Sequence, residues 1–141
     1  MPSTSLHLVL GGLLASLSPA AASVPSEQLY EVTTETGMPH LEENLRYTTT
    51  HERRCLAPGS LPGTFPILSH PALSGCSLAE ESHQADTLSY QLLCTGGHGT
   101  TGTAVWRFDA HLIEGTLDIK LGGKNMTFYQ RITAVRIGAC R

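Results

Sequence analysis

From Thr87 to Ile137 the chain is a succession of short runs in which apolar and polar residues alternate, each closed by glycines or a polar turn. A period of two sends successive side chains to opposite faces of an extended strand, so a chain patterned this way builds a sheet with one buried and one wet face. The clearest run sets Ile113, Leu117, Ile119 and Leu121 against Glu114, Thr116, Asp118 and Lys120. Before it, residues Thr101 to Asp109 place Ala104, Trp106, Phe108 and Ala110 on one face and Thr103, Arg107 and Asp109 on the other, with Val105 the exception. After it, Gly122-Gly123 form the centre of a tight hairpin, and Met126, Phe128 and Ile132 resume the apolar face between Asn125 and Ile137.

The upstream half adds further strands. Gln28 to Thr36 is rich in β-branched and aromatic residues and is followed by the breaker Gly37-Met38-Pro39. Glu43 to Cys55 carries Leu45, Tyr47, Thr49 and Cys55 on one face, with Arg46, Thr48, Thr50, Glu52 and Arg54 on the other. Gly75 to Glu80 and Thr87 to Cys94 are short strands, followed by the turn Thr95-Gly96-Gly97-His98-Gly99. Between Cys55 and Gly75, residues 56–74 hold Pro58, Pro62, Pro66 and Pro71, a density that excludes a central strand or a long helix. The expected fold is mainly β: a single antiparallel up-and-down sheet of about seven strands, strongly curved or barrel-like. The Pro-rich loop, with Phe65, Ile67 and Leu68, is the candidate cover for its apolar face.

At 141 residues the chain holds one domain, and with 40% hydrophobic residues and a formal net charge of −3 it is neither disordered in composition nor a polyanion binder. Arg53-Arg54 is the only adjacent basic pair, which leaves no stripe that could track phosphates, so nucleic acid is not an expected partner.

Leu8 to Leu17 is an apolar run too short to span a bilayer, and Pro19-Ala20-Ala21-Ala22 follows it with small residues. This reads as a signal peptide over residues 1–22, leaving a single β domain at 23–141 with no transmembrane segment and a periplasmic or secreted location. Cys55, Cys76, Cys94 and Cys140 show no two-residue spacing of a zinc knuckle or redox motif, so two disulfides are expected. Four cysteines admit three connectivities. The one adopted joins Cys76 to Cys94 across a hairpin turning near Ser82 to Asp86, and Cys55 to Cys140 across a long loop, which in the chain-entropy model contributes on the order of 4 to 5 kcal/mol.

The order of these features resembles a family of bacterial exported proteins, domain of unknown function 3617. The matching segments are Leu29-Tyr30-Glu31-Val32-Thr33, Cys55-Leu56-Ala57-Pro58, Cys76-Ser77-Leu78, Tyr90-Gln91-Leu92-Leu93-Cys94, Gly115-Thr116-Leu117 and Arg136-Ile137-Gly138-Ala139-Cys140. Tyr30 departs from the family's usual Trp, and the central loop is unusually Pro-rich. The resemblance implies a periplasmic or envelope location and supplies no activity.

Chemistry-bearing constellations are sparse. His40, His51, His70, His83, His98 and His111 form no i, i+2 or i, i+4 pair, so no metal or other cofactor is expected. No Gly-x-Ser-x-Gly elbow occurs, and Glu42-Glu43 and Glu80-Glu81 read as solvated edges. The run Gly96-Gly97-His98-Gly99 is not a phosphate cradle, and Asn125-Met126-Thr127 is a glycosylation sequon only by coincidence. What remains is the face bearing Trp106, Phe108, Leu117, Ile119, Met126 and Phe128, either a packed core or the wall of an apolar cavity. The expected function is non-enzymatic: an envelope module that binds a small apolar molecule, a lipid or another envelope protein. The alternative is a structural module that pairs through an exposed sheet edge such as Leu45 to Thr50. An enzyme is the third reading.

Overall fold

The computed structural model describes residues 27–38, 47–96, 99–123 and 126–141. The signal segment, His40, Glu42-Glu43, His98 and Asn125 lie outside the described residues. Seven strands follow in chain order: β1 (Gln28–Gly37), β2 (Tyr47–Leu56), β3 (Cys76–Gln84), β4 (Thr87–Cys94), β5 (Thr101–Phe108), β6 (Leu112–Leu121) and β7 (Met126–Ala139). They form one sheet in the order β2-β1-β7-β6-β5-β4-β3, with every neighbouring pair antiparallel.

From β3 to β7 the chain is the meander that the alternating runs imply. The departure is at the ends. β1 pairs with β7, from Gln28 opposite Ala139 to Gly37 opposite Tyr129, and β2 is added outside β1. The sheet therefore stays open, with β2 and β3 as its two edges, and does not become a barrel. Counting through the antiparallel neighbours, β2 and β3 run in the same direction at opposite edges. No hairpin can join strands so placed, and their connection must travel back across one face.

That connection is the Pro-rich segment. It forms three 3-10 turns, Pro58–Thr64, Pro66–Ser69 and Pro71–Leu73, each opening on a proline whose fixed φ and missing N–H suit a first position. Ser60 secures the first turn, accepting from the Ala57 N–H at 3.1 Å and donating to the Ala57 carbonyl at 2.8 Å. The turns bring Leu61, Phe65, Ile67 and Leu73 into the core. Each such burial contributes about 1.5–3 kcal/mol relative to exposure. Phe65 meets Trp106 with ring centroids 4.9 Å apart. From the sheet come Val32, Leu92, Leu117, Phe128, Ile132 and Ala134, all on the covered face.

A polar clamp holds the crossover to the sheet. Gln130, 4% exposed on β7, accepts the Ile67 N–H at 3.0 Å through Oε1 and donates through Nε2 to the Thr36 hydroxyl at 2.8 Å. Both ends of the buried amide are thereby used, which is the condition for a polar side chain to sit in a core without a large desolvation penalty.

Candidate functional site

The apolar face singled out from the sequence is mostly core. Trp106 and Leu117 are fully buried, Ile119 and Phe128 nearly so, and Met126 is half-buried. Phe108 is half-buried at the margin, and it opens onto a strongly apolar recess. This cleft of about 240 Å³ lies where the crossover leaves β2, between Leu56, Ala57 and Leu61 on one side and Tyr30, Phe108 and Ile113 on the other. Gln28 and Asp109 are its polar members. Its size falls just below the roughly 300 Å³ at which drug-sized ligands are enclosed, so it suits one apolar moiety rather than a whole large ligand.

The opposite face is wet and laid out in cross-strand rows. Gln91, Thr103, Asp118, Tyr129 and Gly37 stand opposite one another on successive strands, and the Thr103 hydroxyl donates to the Gln91 Oε1 at 3.3 Å. A Cβ on Gly37 would overlap the Tyr129 ring, which also lies under the Arg131 guanidinium at 4.8 Å. A shallow groove of about 390 Å³ follows this row. Its hydroxyls, amide and charges are those of an ordinary solvated sheet face, and the Tyr129 ring already packs with Gly37 and Arg131.

The two edges differ. β3 is broken by a bulge between Ala79 and Ser82, where Glu80 takes a φ of 54°, a left-handed conformation uncommon outside glycine. At the bulge Glu81 lies near the hydroxyl of buried Tyr90 and contacts the His83 Nε2 at 2.6 Å. Burial, then the charge of Glu81 and its hydrogen bond, push the Tyr90 pKa up. Glu80 and Glu81 are both exposed, the solvated edge pair read from the sequence, and the bulge breaks the alternation there so that Glu81 comes near Tyr90. β2, in contrast, pairs with β1 in unbroken register from Tyr47 to Leu56, and its side chains are exposed through Arg53. Among the described residues no strand lies beyond its outward backbone groups.

Both disulfides are formed, Cys55–Cys140 and Cys76–Cys94, and the second joins residues directly opposite in the β3–β4 ladder. Glu27 lies beside Cys55 and Cys140, but sulfurs committed to a disulfide offer no thiolate, so this cluster is not a metal centre. His51 instead bonds Thr33, His70 accepts from the Ala72 N–H, and His111 offers its carbonyl to Arg136. Among the described residues no helix is long and apolar enough to cross a membrane.

Gln130 escaped the sequence reading. Its signal was its parity, since it shares the apolar alternation of Phe128, Ile132 and Ala134, where a polar side chain needs buried partners. No family model matches the chain, and no curated protein or solved structure matches it either.

Proposed function

We propose that this chain is an exported, non-enzymatic binding module that takes an apolar group of a small molecule or lipid in the cleft between β1, the start of the crossover and the β5–β6 turn. The observation that carries the reading is the lining: Tyr30, Leu56, Leu61, Phe108 and Ile113 present apolar surface beside a packed core, with Asp109 and Gln28 as its polar members. Export rests on the apolar leader, on the two disulfides, which persist in oxidising compartments, and on the resemblance to an exported family. The test is titration with the apolar dye N-phenyl-1-naphthylamine. Saturable enhancement in the wild type, lost in Ala57→Trp at unchanged thermal stability, supports the cleft; equal enhancement in both proteins overturns it. Native mass spectrometry of protein from a periplasmic extract then identifies any retained ligand by its mass increment.

A second reading has its own observation. The unbroken edge of β2 is a template for strand addition, by which an extended segment of a partner gains main-chain hydrogen bonds.

A further inference from the structure

The residues along β2 favour one occupant for that edge. Its first half, Tyr47-Thr48-Thr49-Thr50, is uncharged, and its second, Glu52-Arg53-Arg54, is fully charged, with His51 between them. Antiparallel pairing of such a strand with its own copy lays each charged half on the other's uncharged half. A two-fold axis perpendicular to the sheet keeps each residue on its own face, so facing residues have equal parity and the axis passes through a residue. Axes through His51 and through Glu52 both engage all but one residue of the strand. The second sets two carboxylates face to face. The first opposes no Glu to Glu and no Arg to Arg: Thr50 meets Glu52, Thr49 meets Arg53 and Thr48 meets Arg54, each of the second copy.

The same register disposes of an exposed aromatic. Tyr47 is 59% exposed, more than the other large exposed apolar side chains. It would lie opposite Cys55 of the second copy, against the Cys55–Cys140 disulfide on the uncovered face. We infer that the chain self-associates by pairing β2 with β2 of a second copy about His51, extending the sheet across both molecules. This rests on the edge reading and is independent of the cleft.

The interface is a single strand edge, at the low end of interface sizes, so assembly is sought by sedimentation velocity up to about 1 mM. The wild type self-associates. Thr49→Glu places a carboxylate against Arg53 of the second copy twice per dimer and raises the association constant about threefold to tenfold, while Thr49→Arg lowers it by a similar factor. Thr49 is exposed but faces Glu35 of β1, so circular dichroism and thermal melting of each variant verify that the fold is kept before association is compared. A wild type that stays monomeric, or an equal response to the two charges, overturns the inference. A synthetic peptide of residues 47–54 separates the two ideas. If it slows amide exchange along β2 while the protein stays monomeric, the edge reading stands and self-pairing falls; if it has no effect on the monomer, both fall.

Discussion

Trp106 stands directly opposite Gly115 in the β5–β6 ladder, and its six-membered ring fills the space that a Cβ on Gly115 would need. The indole lies down on its neighbour instead of standing off the sheet, which leaves room for Phe65 of the crossover to pack against it. The wet face repeats the relationship between Tyr129 and Gly37.

Gly115→Ala should therefore act as an overpacking mutation. A methyl in the place of the indole forces Trp106 off its position, and Phe65 with it, at a cost of about 1–3 kcal/mol. Gly63→Ala is the control, since a Cβ there meets nothing within 4 Å. Urea unfolding of the two variants should show a lowered midpoint for the first and little change for the second.

Gln130→Leu keeps the volume near constant but strips the Ile67 N–H of its acceptor and the Thr36 hydroxyl of its donor. A buried donor left without a partner costs about 1–3 kcal/mol. Amide exchange at Ile67 should accelerate well before that of the β6–β7 ladder. Equal protection at Ile67 in wild type and variant would mean that the amide is not what holds the crossover.

The disulfides should differ in weight. Cys55–Cys140 closes a separation of 85 residues and Cys76–Cys94 one of 18. In the chain-entropy model the longer loop contributes about 1.4 kcal/mol more. Replacing Cys55 and Cys140 by serine should lower the unfolding free energy by that much more than replacing Cys76 and Cys94, measured by denaturant titration without reductant.

Alkali should find Tyr90. Its pKa is raised in the folded protein by burial and by Glu81, so the folded state keeps the phenol proton after the unfolded chain has begun to lose it. Below the ordinary tyrosine value of about 10 this contribution is fully present, and it is lost as pH rises through the folded pKa. Melting temperature should fall above about pH 10, and Tyr90→Phe should flatten that part of the profile.

The strand content was legible because alternation is local: Ile113 to Leu121 shows its buried and wet faces without reference to anything else in the chain. The Cys76–Cys94 hairpin was legible for the same reason. Closure was not local. Whether β2 meets β3 depends on their relative direction, which follows from β1 choosing β7, and nothing near Gln28 announces Ala139 as its partner. The cleft was half visible. Phe108, Ile113 opposite it in the local β5–β6 hairpin and the Pro-rich cover could be read, but Tyr30 joins them only through that long-range pairing. The bulge at Glu80 was hidden because the backbone departs from alternation there, and Tyr90, which it brings near Glu81, lies on the next strand.

The placement of β1 against β7 also dictates an order of assembly. A chain that emerges from its N-terminus first presents β1 long before β7 exists, while β3 to β7 can pair each new strand with the one just made. The hairpin of β1 and β2 has no ladder to join until the last strand is in place, and only then can Cys55 reach Cys140. Folding should accordingly be slow for a domain this small, limited by a search between the two ends of the chain rather than by any local step.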